Sequence, residues 1–128
     1  MRHLLDAHSL LWYTLADPKL SGAAKALILD PANDILMSPA SYWEIAIKVS
    51  IGKLTLHRPY DDFIDVCLNK YGFAILPIEP KHTAALITLP FHHKDPFDRL
   101  LIAQAIVEGI PIISGDPMLD SYPIKRLW

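Results

Sequence analysis

The chain has 128 residues, of which 52% are apolar, and it carries a formal net charge of −2. This length suits one compact domain, so we expect a single domain over residues 1–128. The lone cysteine, Cys67, excludes an internal disulfide and a cysteine-cluster zinc site, and it fits a protein of the reducing cytoplasm. No apolar run reaches the roughly 18 residues that a membrane span needs, and the charge gives no overall signature of nucleic-acid binding.

Short apolar segments alternate along the chain with amphipathic ones, which predicts an α/β fold. Strands are expected over residues 3–6, 35–38, 73–78 and 110–114, with a short edge strand at 124–128. Helices are expected over residues 7–16, 21–30, 41–51, 61–72, 80–89 and 95–108. Right-handed crossovers between such strands should give a mostly parallel sheet that is covered by helices on both faces.

Five acidic residues lie where helices are expected to begin: Asp6, Glu44, Asp95, Asp98 and Asp116. Each can be explained alone, because an aspartate N-cap stabilises a helix by about 1 kcal/mol and the helix dipole favours an anion in the first turn. The pattern from Ser41 to Glu44 also matches a capping box. In a parallel sheet, however, the segments that follow the strands meet at one edge, so these acids can also form a common pocket.

If these acids lie close together, repulsion between their carboxylates outweighs the stabilisation that one cap provides. Two carboxylates ~5 Å apart repel by roughly 3 kcal/mol at an effective dielectric constant near 20, and serine or asparagine would cap as well without this repulsion. Arg99 and Lys94 are the only basic residues next to the acids of the last long helix. A carboxylate cluster of this kind therefore predicts a divalent cation, and all-oxygen ligands favour Mg²⁺ or Mn²⁺.

Metal ions held by carboxylates are well suited to phosphodiester hydrolysis, because they activate water and stabilise the leaving oxygen. Motifs of competing chemistries are missing: the chain has no GxGxxG, no GxxxxGK[ST] and no GxSxG. A receiver-like or phosphatase-like protein is also disfavoured, because Asp6-Ala7-His8 supplies neither an acidic pair nor an Asp-x-Asp.

Four segments, in this order, resemble PIN-domain ribonucleases, specifically the VapC-like toxins of type II toxin–antitoxin pairs. They are LLDAHSLLW at 4–12, SYWEIAIK at 41–48, HHKDPFDRLLIAQA at 92–105 and IISGD at 112–116. The resemblance implies a PIN-like three-layer α/β/α sandwich and a Mg²⁺- or Mn²⁺-dependent endoribonuclease that cleaves structured RNA such as tRNA or rRNA. It also implies a homodimer and a cognate VapB-like antitoxin that blocks the acidic pocket.

The resemblance assigns roles to particular residues. Asp6, Asp98 and Asp116 would bind metal, and Glu44 would orient or deprotonate the attacking water and share a metal. Ser114 would support the site through its hydroxyl group, and Asp95 would act chiefly as the N-cap that fixes Asp98. The chain departs from many relatives at Ala7, where a threonine often follows the first aspartate.

The competing hypothesis is a non-catalytic protein or RNA interaction module on the same fold, in which the acids act only as caps. Adjacent His92 and His93 are interpreted as loop residues rather than a metal site, and Cys67 as a buried inert thiol. Some basic residues could form an RNA-contacting rim or could simply be solvated; they are Lys48, Lys53, Arg58, Lys94 and Arg99.

Overall fold

Five short strands form one sheet in the order β3-β2-β1-β4-β5, and all four strand pairings are parallel. The computed structural model describes residues 1–128. The strands are β1 (Arg2–Leu5), β2 (Asp34–Met37), β3 (Ala74–Ile75), β4 (Ile112–Ile113) and β5 (Arg126–Leu127). The central strand β1 places Leu5 beside Met37 of β2 and Ile113 of β4, so these three strands end level with one another.

Six α-helices connect the strands: α1 (Ala7–Thr14), α2 (Gly22–Leu29), α3 (Pro39–Ser50), α4 (Tyr60–Asp65), α5 (Pro80–Leu86) and α6 (Pro96–Glu108). A π-helical turn at Val66–Lys70 continues α4, and a 3₁₀-helix covers Pro117–Ser121. Local sequence explains several of the ends. The Ser21 hydroxyl accepts a hydrogen bond from the Ala24 backbone N–H at the start of α2, and Gly109, with φ of 65°, closes α6 in the left-handed conformation.

The strands send alternate side chains to two separate cores, one on each face of the sheet. Leu5, Met37 and Ile113 pack on one face with buried residues of α1, α2 and α3. Leu4 and Ile112 pack on the other face, mainly with α6. Both faces are therefore covered, which confirms the predicted three-layer α/β/α sandwich with a parallel central sheet.

The structure corrects the expected start of α3. The helix begins at Pro39, and its N-cap is Ser38, whose hydroxyl accepts a hydrogen bond from the Ala40 backbone N–H at 3.1 Å. Proline is favoured at the first helical position, where a missing N–H costs nothing, so Ser38-Pro39 wins over the later capping-box pattern. Glu44 consequently lies in the second turn of α3 rather than at a cap, and the capping box at Ser41 is wrong.

Other elements differ only at their ends. The first helix stops at Thr14 instead of residue 16, because Ala16 adopts a left-handed conformation with φ of 52°. The third and fourth strands are shorter than predicted, since only two residues of each pair with a neighbour. Cys67 is buried, as predicted, and burial raises the pKa of its thiol to about 11, so little of the reactive thiolate forms at neutral pH. None of the helices has the length and apolar character that crossing a membrane requires.

Candidate metal centre

The carboxyl ends of β1 and β4 bring Asp6 and Asp116 to the same edge of the sheet. Asp6 follows β1 and caps α1, because its Oδ1 accepts a hydrogen bond from the Ser9 backbone N–H at 2.8 Å. The backbone N–H of Asp6 donates to the carbonyl oxygen of Ile113 at 3.3 Å, which ties this residue to β4. Although Asp6 caps α1, it also lines a surface cleft together with Asp116.

Asp116 is fixed by the short segment that follows β4. Its backbone N–H donates to the hydroxyl oxygen of Ser114 at 3.1 Å, and its Oδ1 accepts from the Met118 backbone N–H at 3.0 Å. Ser114 is fully buried, so its hydroxyl supports the turn from beneath. The remaining carboxylate oxygen of Asp116, Oδ2, lies 2.9 Å from Nε2 of His93.

The start of α6 supplies Asp95 and Asp98. Oδ1 of Asp95 accepts hydrogen bonds from the backbone N–H groups of Phe97 and Asp98 at 2.9 and 3.1 Å, so Asp95 is the N-cap, as predicted. Asp98 is the third residue of the helix, and its side chain is 25% exposed. The cap therefore fixes the backbone position from which the Asp98 carboxylate reaches the pocket.

Asp98 lies at the centre of the acidic pocket. Ligand atoms of Glu44, Asp95 and Asp98 lie within 4.8 Å of one another, and so do those of His93, Asp98 and Asp116. Burial raises the pKa of Asp98 to about 7, and the negative charges of Asp95, Glu44 and Asp6 add to this effect. Asp95 and Asp116 are therefore both helix caps and members of the groups around Asp98, whereas Glu44 belongs to a group without being a cap. Asp6 caps α1 but belongs to neither group, and it acts on Asp98 only through its charge.

His93 is a member of this pocket that sequence reasoning missed. The backbone N–H of Asp95 donates to its Nδ1 at 3.2 Å, so Nε2 carries the ring proton. Nε2 lies 2.9 Å from Oδ2 of Asp116 and 3.3 Å from Oδ2 of Asp98. Both histidines lie in the loop before α6, as predicted, but the His93 ring contacts two of the acids, whereas the His92 ring packs edge-on against Tyr122.

The basic residues are arranged differently from the expected rim. Arg99 is buried and donates hydrogen bonds to the carbonyl oxygens of Leu89, Pro90 and His93 at 2.9 to 3.2 Å, so it holds the preceding loop and does not face RNA. The cation that does reach the pocket is Lys48, whose Nζ lies 2.7 Å from Oε2 of Glu44. An acid and a lysine four residues apart on a helix are a readable sequence signal for such a pair.

The donor set of the pocket fits a divalent cation. Asp98 shares one group of potential ligand atoms with Glu44 and Asp95 and another with His93 and Asp116, and the ammonium group of Lys48 contacts Glu44. Burial is the main cause of the raised pKa of Asp98 and the neighbouring carboxylates add to it, so a bound cation would offset part of the cost of its charge. Predominantly oxygen ligands with one imidazole suit Mg²⁺ or Mn²⁺ better than a structural zinc, which prefers thiolates and several imidazoles.

The chain is thus an α/β/α sandwich with a parallel sheet, and its carboxylates form an oxygen-rich pocket at the carboxyl ends of the strands. The match to known families is more specific: residues 3–125 match the family model of the PIN domain. The chain therefore belongs to the PIN domain family.

Curated relatives and solved structures agree with this assignment. The chain is 28% identical over 124 residues to Ribonuclease VapC22 of Mycobacterium tuberculosis, covering 96% of this chain and 93% of that protein. It is 35% identical over 71 residues to Ribonuclease VapC16 of the same organism, a match that spans 52% of this chain and half of that protein.

The fold is similar to that of chains in solved VapBC structures. VapBC2 from Rickettsia felis, bound to a promoter DNA fragment, contains a chain that matches at a TM-score of 0.72 and 15% identity, with 100% of both chains covered. VapBC-1 from nontypeable Haemophilus influenzae matches at a TM-score of 0.66 and 16% identity, covering 98% of this chain and 96% of the other. At these identities the likeness concerns the fold.

Proposed function

We propose that this chain is a VapC-like endoribonuclease, dependent on Mg²⁺ or Mn²⁺, that hydrolyses phosphodiester bonds of structured RNA such as tRNA or rRNA. We assign the activity to one PIN domain over residues 1–128. The observation that carries the proposal is the convergence of separate carboxylates on Asp98 at the carboxyl edge of the sheet. The ribonuclease names of the curated relatives support the reaction type.

In this proposal Asp6, Asp98 and Asp116 hold the metal, directly or through water, and Glu44 completes the set. A divalent cation bound there would neutralise the carboxylates and stabilise charge on the oxygens of the scissile phosphate. Asp95 fixes the start of α6, and Ser114 supports the turn that carries Asp116. These contacts limit the side-chain freedom that would otherwise loosen the site.

Glu44 is the proposed group that orients or deprotonates the attacking water. Its Oε2 accepts from Lys48, which leaves Oε1 for a water molecule. The Glu44 side chain is 8% exposed and is held on α3, so it can present this oxygen at a fixed position. A base with one oxygen fixed by a cation is well placed to take a proton from water in the plane of the carboxylate.

We further propose a cytoplasmic protein that forms a homodimer and is neutralised by a VapB-like antitoxin. The solved neighbours support the antitoxin partner, since both are VapBC structures. An antitoxin segment that covers the acidic pocket would exclude both metal and RNA from the site.

The test is cleavage of tRNA and rRNA by the purified chain with Mg²⁺, Mn²⁺ or EDTA. Asp98→Asn keeps the size of the side chain and removes its charge, so it should lower the cleavage rate by at least about 100-fold. Asp62→Asn is the matched control, because Asp62 is also the third residue of a helix but is exposed and remote from the pocket. Equal cleavage by the wild type and Asp98→Asn would contradict the role of Asp98.

A non-catalytic interaction module remains the second candidate, favoured by the capping bonds that Asp6, Asp95 and Asp116 make. Calorimetric titration with Mn²⁺ separates the two hypotheses. The nuclease proposal expects binding below millimolar concentrations that Asp98→Asn weakens, and an absence of binding at millimolar Mn²⁺ would favour the module.

A further inference from the structure

A cleft of about 230 Å³ opens beside the acidic pocket and has an aromatic wall. It is lined by Asp6, His8, Trp12, Gly115 and Asp116. Two of these residues are proposed metal ligands, so anything that occupies the cleft lies next to the reacting phosphate. The cleft is smaller than the sites that hold drug-sized ligands, which exceed roughly 300 Å³, and its size suits one planar group.

The aromatic wall is held in place by contacts behind it. The Trp12 ring lies 5.8 Å from that of Trp128 and 5.7 Å from that of His8, measured between centroids. Trp128 in turn packs against the backbone of Gly115, because a Cβ at that position would lie 3.0 Å from the indole atoms Cε2 and Cζ2. Gly115 therefore permits the close approach that fixes Trp128 behind Trp12.

The chemistry of the lining selects a neutral, flat occupant. No lysine or arginine lines the cleft, so it offers no side-chain cation to hold a phosphate other than the one that the proposed metal would bind. Aromatic side chains, by contrast, stack on nucleobases of any sequence because every base has a π-face. A nucleobase beside a cleaved phosphate meets both conditions, since its ring is neutral and its backbone stays outside.

We propose that the cleft formed by His8 and Trp12 between Asp6 and Asp116 is a subsite that stacks one unpaired base of the RNA next to the scissile phosphate. This inference rests on the proposed ribonuclease function for the class of substrate. It makes Trp12 a positioning residue, because stacking would set the register of the phosphate relative to the carboxylates.

The first test is a double-mutant cycle that combines the substitution Trp12→Ala with removal of one base from the RNA. A structured RNA that the wild type cleaves at an unpaired position is prepared as a normal chain and with an abasic ribonucleotide on either side of the cleavage site. Removing the stacked base should lower kcat/KM of the wild type by about 5- to 150-fold, which is the range for loss of one stacking contact. Trp12→Ala should show a similar loss with the normal RNA and almost no further loss with the abasic one.

Two variants control this experiment. Trp12→Phe keeps an aromatic face and should restore most of the dependence on the base. Trp43→Ala removes a tryptophan that is 59% exposed and directly precedes Glu44, but does not line the cleft. The subsite proposal is wrong if Trp43→Ala and Trp12→Ala change the effect of the abasic nucleotide on kcat/KM equally. It is also wrong if the losses of kcat/KM from Trp12→Ala and from the abasic nucleotide simply add.

The second test needs neither metal nor cleavage. A trinucleotide with methylphosphonate linkages is neutral and cannot be hydrolysed at those positions, and it is titrated to millimolar concentrations in EDTA. The indole N–H signals of Trp12 and Trp128 in NMR spectra should shift, whereas that of Trp43 should stay. Absence of any shift, or equal shifts of all three signals, would overturn the subsite.

The two tests separate this inference from the proposed function. Indole shifts without cleavage of any RNA would contradict the ribonuclease and leave the subsite standing. Metal-dependent cleavage in which the losses from Trp12→Ala and from the abasic nucleotide add would support the ribonuclease and contradict the subsite. If Trp12→Ala weakens only the binding of a VapB-like antitoxin peptide, the cleft is a protein-docking surface and the assignment to a base is wrong.

Discussion

Replacing Asp98 by asparagine should make the metal-free protein more stable at neutral pH, although it removes a central residue of the site. The physical reason is the raised pKa of Asp98, about 7 against an ordinary value of 3.8. Below pH 3.8 the carboxyl is protonated in both the folded and the unfolded chain. Between pH 3.8 and about 7 only the folded chain holds the proton, so stability falls as the pH rises through this window.

The size of this effect follows from the shift. Three pH units correspond to about 4 kcal/mol at 1.36 kcal/mol each. The Asp98 side chain is 25% exposed, and solvent screening reduces the charge repulsion, so we take about half, or ~2 kcal/mol. Loss of the favourable interaction with the dipole of α6 subtracts a few tenths of a kcal/mol. The melting temperature of Asp98→Asn in EDTA should then exceed that of the wild type by roughly 5 to 10 °C at pH 8.

Thermal unfolding followed by circular dichroism in EDTA, from pH 4 to pH 8, measures this difference. The two melting curves should approach each other at pH 4 and separate as the pH rises to 7. Asp62→Asn serves as the control, since an exposed acid at the same helical position should change stability only slightly and with little dependence on pH. An Asp98→Asn variant that is no more stable at pH 8, or a gap that does not depend on pH, would refute the reasoning.

Three further predictions concern residues outside the carboxylate set. A lysine at position 99 cannot donate to three loop carbonyl oxygens as the planar guanidinium of Arg99 does, so Arg99→Lys should lower the free energy of unfolding by about 2 kcal/mol. Urea denaturation measures this, and an unchanged unfolding midpoint would contradict it. Hydrogen bonds from His82 and Lys81 lower the pKa of Glu108 to about 2, so the stability of the fold should fall as the pH drops from 4.5 towards 2. Acid titrations followed by circular dichroism measure this, and Glu108→Gln should lack the dependence. The Cys67 thiol should resist iodoacetamide at pH 8 in the folded protein and react in urea, as mass spectrometry can measure, and rapid labelling without denaturant would argue against burial.

Much of the fold could be predicted because local signals and the global pattern agree. Apolar segments at the strands, serine and aspartate caps at the helix starts, and glycine after α6 all indicate the same elements. The parallel arrangement then implies that groups following β1 and β4 meet, which is why the sequence alone predicts Asp6 and Asp116 at one edge of the sheet.

The parts of the site that sequence did not reveal depend on loop paths and side-chain directions. His93 reaches Asp116, a residue 23 positions later, and no periodicity encodes that distance. Arg99 follows Asp98 directly and looks like a surface cation, yet its side chain turns inward because three carbonyl oxygens of a tight loop need donors. Lys48 was readable from its spacing to Glu44, but only the structure shows that this pair enters the pocket.

The order of the strands also bears on when the pocket can come into existence during synthesis. The chain lays down β1, β2 and β3 on one side of the sheet, and the opposite edge of β1 is covered only when β4 is made. Asp6 and Asp116 therefore become neighbours after nearly all of the described residues have been translated. A nascent chain that stalls before β4 has most of its carboxylates but no closed pocket, so the fold itself delays any activity of the site until late in translation.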